Sequence, residues 1–205
     1  MTDGATPAGL WGATFAVLAS QIAHDFRNAL NGVAVNLEVV RGRSARGAAA
    51  SDIAPFAATA AAQFEEASSA AEALLAFARP EANAPDVSGI VHRLAKLLSL
   101  RAKSDVQVTD LSDGRAKTSA PGDIVRAAVA RSVLGGLGVG ESVACAITVG
   151  DGILLNVTGA RHVPMPDSEL LEIAAVHDVR ITSHGQTLEL RFPAVDPRAT
   201  SDAPA

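Results

Sequence analysis

Apolar residues recur every three or four positions along the first forty residues of the chain. They fall at Phe15, Leu18, Ile22, Phe26, Ala29, Val33, Leu37 and Val40. This spacing places them on one face of a helix, so the sequence predicts a long amphipathic α-helix. The stretch RGRSARGAAASD (41–52), rich in glycine and charge, is expected to end that helix.

A second helical pattern runs from about residue 53 to residue 78. Its apolar stripe comprises Phe56, Phe64, Ala67, Ala71, Leu74 and Ala78. Pro80 and the following PEANAP segment are expected to stop this helix and to form a linker. Two long helices joined by a short loop form an αα-hairpin, which cannot bury its apolar stripes alone. We therefore predict a homodimer in which two hairpins form a four-helix bundle.

The pattern changes after the linker, where short helices and strands alternate. A helix over 86–104, a strand over 105–110 and a helix starting near Asp123 as its N-cap precede two strand pairs, 142–159 and 179–192. A further helix separates these two pairs. The order α-β-α-ββ-α-ββ predicts an α+β chain whose second half is a mixed sheet covered by helices.

Polar residues in the segment SQIAHDFRNALNGV (20–33) lie on one side of the first predicted helix. With Ile22 at 0° and 100° per residue, the core residues lie within roughly 60° of it, whereas the polar residues lie between roughly 140° and 240°. This polar stripe comprises Ser20, His24, Arg27, Asn28 and Asn31. Val17 and Val35 lie near 220° and flank it, as apolar residues do on a protein-docking surface.

Composition limits the classes of function. The 205 residues are 48% hydrophobic with a net charge of −5, which leaves no basic field for nucleic acid or anionic membrane. The single cysteine, Cys145, excludes an internal disulfide. The N-terminus carries no basic residue before its apolar stretch, and no apolar run reaches the length of a membrane span. We expect a soluble cytoplasmic protein.

The polar stripe has two interpretations. Every amphipathic helix has a solvated face, and a histidine there is often only solvated. However, the segment from Ser20 to Leu37 lacks the lysine and glutamate typical of such a face, and it holds asparagines that are poor helix formers. An exposed imidazole at His24 is a good nucleophile and phosphate carrier. Arg27 could balance phosphoryl charge, with Asp25 as a base and Asn28 as a water-orienting amide.

The sequence HDFRNALNGV resembles the H-box of histidine kinases of the His-Asp-x-x-Asn type. The resemblance implies a dimerising hairpin (9–80), an ATPase-like α/β sandwich (86–196) and a disordered tail (197–205). It also implies that His24 accepts phosphate, that Asp25 takes the acidic base position and that Asn28 takes the water-orienting position. One departure is Ala29, where many H-boxes have proline.

The second half departs further from the kinases. Their ATP site uses an asparagine-bearing helix for magnesium, a strand-end aspartate for adenine and a glycine-rich lid. Here the corresponding helix, DIVRAAVARSVLGG, has neither asparagine nor glutamine, and Asn156 and Thr158 stand near the aspartate position. Only Gly159 and Gly185 follow, so no lid is expected. Without these groups, transfer from ATP loses its main electrostatic supports, and the sandwich resembles a degenerate ATPase domain.

The resemblance therefore implies a histidine phosphotransferase that relays phosphate between receiver-domain aspartates through His24. Its partners would be response-regulator receivers, including one on a hybrid histidine kinase. No cofactor is expected on this chain, because the receiver would supply magnesium. Asp25, Asn28 and Arg27 would serve the transfer, while Val17, Ser20, Asn31 and Val35 would dock the receiver. Two alternatives stay open: a kinase with a divergent ATP site, and a non-catalytic dimeric scaffold that binds a response regulator.

Overall fold

The computed structural model describes residues 6–81, 83–99, 104–137 and 142–195. Over these residues the elements follow the predicted order. The helices are α1 (Pro7–Ala45), α2 (Ala50–Ala78), α3 (Val87–Ser99), α4 (Gly122–Gly136) and α5 (Ser168–Val176). The strands are β1 (Asp105–Asp110), β2 (Ser142–Val149), β3 (Ile153–Gly159), β4 (Arg180–His184) and β5 (Thr187–Phe192). The predicted tail lies outside the described residues.

Contacts divide the described chain into two compact units. Residues Val17–Ala76 form one unit, and the residues up to Ala16 join those from Phe77 onward in the other. The second unit thus includes the first turns of α1, because the Trp11 ring packs edge-on against Phe77 at 5.4 Å between centroids. The domain boundaries drawn along the sequence stay a prediction.

In the first unit, α1 and α2 form the predicted hairpin. Arg43 donates to the carbonyl oxygen of Asp52 and lies over the Phe56 ring, so the end of α1 faces the beginning of α2. The connection is shorter than expected, because α1 continues to Ala45. It ends in a Schellman motif, in which Gly47 has a φ of 71° and the Ala48 N–H donates to the carbonyl of Arg43.

The hairpin buries only part of the apolar stripes that periodicity predicts. Leu18 and Ile22 of α1 are buried, as is Ala67 of α2. Leu37 and Phe64, which were assigned to the same stripes, are 52% and 57% exposed. A single hairpin therefore leaves part of its apolar surface open.

In the second unit, a five-stranded mixed sheet has the order β1-β2-β3-β5-β4. Strands β1 and β2 are parallel, joined by a crossover through α4, and the other neighbouring pairs are antiparallel. Alternate residues of β2, β3 and β5 are buried, among them Cys145, Leu155 and Leu190. Since α3, α4 and α5 all contact strands, the unit is the predicted sheet covered by helices.

The prediction that Asp123 is the N-cap of α4 is wrong. The N-cap residue is Pro121, which offers no side-chain hydrogen bond, and Asp123 lies in the first turn of the helix. The Asp123 carboxylate instead accepts a hydrogen bond of 2.6 Å from Nη2 of Arg126. The Asp123 carboxylate therefore pairs with the buried Arg126 and does not cap the backbone N–H groups of the helix.

Candidate functional site

The candidate phosphate acceptor, His24, lies in the middle of α1 with a side chain that is 70% exposed. Its Nδ1 atom is 3.4 Å from Oδ1 of Asp25 and 3.3 Å from Nδ2 of Asn28. Among the described residues, no hydrogen bond engages Nε2. The helix thus gathers three of the predicted site residues, because positions i and i+4 lie on one face and position i+1 is adjacent in the chain.

The remaining predicted site residues keep their places on the surface of the same helix. Ser20, Arg27, Asn31, Val17 and Val35 are all exposed. No hydrogen bond joins any of them to His24 within the described residues. Their roles in charge balance and docking stay predictions, but none is buried where a partner could not reach it.

An apolar stripe, comprising Leu30, Leu37, Phe64 and Leu75, is exposed on the hairpin. On α1, the residues that face α2 are Gly32 and Asn36, and the leucines of the stripe lie roughly 120–140° from them. On α2, Phe64 and Leu75 lie roughly 100–120° from the inward-facing Gln63. Because the helices run antiparallel, these rotations bring all four side chains to one side of the hairpin.

The imidazole lies on the other side. His24 is roughly 100° from the direction of Gly32 and Asn36, in the opposite sense to the leucines. A protein that covered the apolar stripe would therefore leave His24 open to a different partner.

A polar contact inside the hairpin joins its two helices, and the sequence did not predict it. Nδ2 of Asn36 donates to Oε1 of Gln63 at 3.1 Å and to the carbonyl of Gly32 at 2.9 Å. A Cβ atom at Gly32 would come within 2.5 Å of the Gln63 amide. A glycine inside a helix costs about 1 kcal/mol relative to alanine, and this cost was the available signal that something packs there.

Helix α4, where a kinase would carry its magnesium ligand, instead carries two engaged arginines. Arg126 is 3% exposed, pairs with Glu81 and Asp123, and lies 5.1 Å over the Trp11 ring. Arg131 donates to Oγ1 of Thr14 at 2.8 Å and pairs with Asp167. The polar side chains on these parts of α4 thus bind the protein's own carboxylates and hydroxyl.

One of the strand residues near the expected adenine position also has an internal partner. Thr158 of β3 shares a hydrogen bond of 2.9 Å with Thr187 of β5. Asn156 lies beside it on β3, paired in register with Glu189. A Cβ atom on Gly159 would lie 3.0 Å from the carbonyl oxygen of Arg161, so the backbone is closely packed where the strand ends.

A polar cluster at the end of β1 has the one strongly lowered carboxyl pKa resolved in the described chain. Burial raises the pKa of Asp110, but hydrogen bonds from Ser112 and Ser88 outweigh it and, with the nearby His92, lower that pKa to about 2. The Ser112 amide donates to Oδ1 at 2.9 Å, while Ser88 and His92 come from α3. The Ser88 hydroxyl donates to the Asp110 carboxylate rather than to the His92 imidazole, so the cluster lacks the hydrogen-bond order of a nucleophilic triad. Its contacts instead tie α3 to β1.

The described residues offer few other kinds of site. None of their groups of three or more His, Cys, Asp and Glu side chains is placed to bind a metal ion. None of their helices is long and apolar enough to cross a membrane. The sole cysteine is buried in β2, and burial raises the pKa of its thiol to about 12, so Cys145 is not a nucleophile in this fold.

Comparison with solved structures identifies the fold. A bacterial phosphotransferase overlays with a TM-score of 0.50 at 17% identity, covering 88% of this chain and 94% of the other. The chain therefore shares the fold of this bacterial phosphotransferase.

Solved structures of histidine kinases superpose on the chain with lower TM-scores. The histidine kinase from Burkholderia phymatum STM815 has a TM-score of 0.37 at 14% identity, covering 88% of this chain and 96% of that one. The histidine kinase domain of the blue-light activated kinase EL346 from Erythrobacter litoralis gives the same TM-score and identity, covering 86% and 94%. No protein-family model and no curated protein matches the chain.

Proposed function

We propose that this protein is a histidine phosphotransferase of two-component signalling, which relays a phosphoryl group between receiver-domain aspartates through His24. One observation carries the proposal: His24 is exposed, its Nδ1 lies 3.4 Å from the Asp25 carboxylate, and no hydrogen bond from the described residues engages its Nε2. A ring whose Nδ1–H donates to a carboxylate has its lone pair on Nε2 and can attack phosphorus there. The shared fold with a bacterial phosphotransferase is consistent with this role.

The transfer needs no redox partner or bound nucleotide. Nε2 of His24 attacks the phosphorus of a receiver's aspartyl phosphate in line. The N–P bond forms while the P–O bond to the aspartate breaks, and the aspartate leaves as a carboxylate. The Nδ1 proton stays on the ring, hydrogen-bonded to Asp25, which stabilises the positive charge that the ring gains. The reverse reaction with a second receiver passes the phosphate on.

The receiver supplies the magnesium ion, and this chain supplies the docking surface. We propose that Val17, Ser20, Asn31 and Val35 form that surface around His24, because all four are exposed. Arg27 is exposed on the same helix and would lie near the phosphoryl oxygens, where its charge favours the transition state. The partners are response-regulator receivers, one of which is carried by a hybrid histidine kinase.

We further propose a cytoplasmic homodimer. The apolar stripe (Leu30, Leu37, Phe64, Leu75) lies on the side of the hairpin away from His24. Two copies that bring these stripes together would build a four-helix bundle and leave both imidazoles accessible. Dimerisation and receiver docking then use different sides of the same hairpin.

We propose that ATP does not serve as the donor. Arg126 and Arg131 of α4 already pair with Glu81, Asp123 and Asp167, and the helix has no amide side chain to hold magnesium. A kinase with a divergent site would bind ATP with magnesium in a calorimetric titration, whereas we expect no heat of binding beyond dilution.

The decisive test uses a panel of purified receiver domains loaded with radioactive phosphate from acetyl phosphate, in the absence of ATP. At least one receiver should pass acid-labile label to the wild-type chain and none to a His24→Ala variant. His184→Ala is the matched control, because it removes another exposed histidine that lies outside the proposed docking surface. Equal labelling of wild type and His24→Ala would refute the proposal. Receiver binding that persists in His24→Ala with no label on either protein would favour the scaffold instead.

A further inference from the structure

One ring nitrogen of His24 faces two groups of opposite hydrogen-bonding character. The Asp25 carboxylate, 3.4 Å from Nδ1, only accepts, whereas the Asn28 amide nitrogen, 3.3 Å from Nδ1, only donates. A neutral imidazole cannot satisfy both at once, because Nδ1 carries either a proton or a lone pair. The two neighbours therefore favour different tautomers of the same ring.

The tautomers differ in reactivity at the open nitrogen. When Nδ1–H donates to Asp25, Nε2 has the lone pair and is the nucleophile. When Nδ1 accepts from the Asn28 amide, the proton lies on Nε2, which then has no lone pair to attack phosphorus. The side chain of Asn28 thus opposes the form that Asp25 favours.

We propose that Asn28 is a positioning residue that sets the tautomer of His24 and holds part of the protein in its unreactive form. The inference about rates rests on the proposed phosphotransfer, whereas the tautomer itself does not. The same contact would protect the phosphorylated ring. Cleavage of the N–P bond releases neutral imidazole if Nδ1 is protonated, but releases imidazolate, a much poorer leaving group, if Nδ1 is held as an acceptor by Asn28.

The tautomer can be measured directly by nitrogen NMR. Protein labelled with ¹⁵N-histidine is recorded by long-range ¹H–¹⁵N correlation at about pH 8.5, about two units above the ordinary histidine pKa. A His24→Gln variant assigns the His24 signals among those of the five histidines. Asn28→Ala should shift His24 towards the Nδ1–H tautomer, Asn28→Asp should shift it further, and Asp25→Asn should shift it the other way.

Asn31→Ala is the matched control, since Asn31 shares the face but makes no hydrogen bond to His24 within the described chain. It should leave the tautomer unchanged. Alanine and aspartate at an exposed helix position are compatible with folding, which circular dichroism checks. An unchanged tautomer in Asn28→Ala, or a shift towards Nε2–H, would overturn the inference.

The kinetic consequence is tested with phosphoramidate, a small phosphate donor that needs no receiver. The rate of phosphohistidine formation in Asn28→Ala should rise by the same factor as the Nδ1–H fraction. If the tautomer shifts as expected but no receiver ever labels His24, the proposed function fails and the tautomer inference stands. If receivers label His24 while the tautomer ignores Asn28, this inference alone fails.

Discussion

Replacing Phe64 with alanine should weaken the proposed homodimer without unfolding the hairpin. Phe64 is 57% exposed in the single chain, and full burial of a phenylalanine side chain contributes about 1.5–3 kcal/mol. Burying the exposed fraction on both copies of a symmetric dimer therefore stabilises it by about 2–3 kcal/mol. Losing this contribution corresponds to a dissociation constant about 30- to 150-fold higher.

The measurement is sedimentation equilibrium over a dilution series of wild type and Phe64→Ala. Val35→Ala is the matched control, because Val35 is 64% exposed but lies on the side of the hairpin near His24. We expect its dissociation constant to equal that of wild type. A wild-type chain that stays monomeric at high concentration, or a Val35→Ala variant weakened as much as Phe64→Ala, would contradict the placement of the dimer interface.

Two further predictions concern the second unit, which contains the five-stranded sheet. The pKa of Asp110 is about 2 against an ordinary 3.8, so its ionisation adds stability above about pH 4 that is lost as the pH falls towards 2; because the residue is exposed and solvent screens its contacts, this amounts to about 1 kcal/mol. The acid destabilisation of Asp110→Asn in urea unfolding should be smaller by that amount, whereas the exposed Asp113→Asn should behave as wild type; equal pH profiles for Asp110→Asn and wild type would disprove the linkage. In the β2–β3 turn, a Cβ at Gly152 would lie 2.8 Å from a backbone carbonyl oxygen, while nothing lies within 4 Å of one at Gly150. Gly152→Ala should cost about 1–3 kcal/mol of unfolding free energy, and Gly150→Ala less than about 0.5 kcal/mol. Similar losses at both positions would contradict this, because they would mean that the backbone near Gly152 moves to make room for the methyl group.

Periodicity predicted the elements well because each has a clear pattern. The three- and four-residue spacing of α1 gave its type, and the alternation of β2 and β3 about Gly150 and Gly152 gave their turn. The same spacing placed Asn28 one turn from His24, so their proximity followed from the sequence alone. These features depend on residues close together in the chain.

Features that depend on distant partners were not predictable in this way. Periodicity could not show that Leu37 and Phe64 stay exposed, because it does not distinguish burial within a chain from burial between chains. It placed Asp123 as a cap although Arg126 lies only three residues on; what it could not show is that Arg126 is buried and pairs with the distant Glu81 as well. The closeness of Gln63 to Gly32 likewise arises when the two helices meet.

We propose that His24 takes its phosphate from a receiver domain and not from ATP. The most direct measurement is fragmentation mass spectrometry that preserves phosphohistidine, applied after mixing the chain with an acetyl-phosphate-loaded receiver without nucleotide. We expect a phosphoryl group on His24 that a second, unphosphorylated receiver removes. Phosphate on any other residue, or on His24 only after addition of ATP and magnesium, would contradict it.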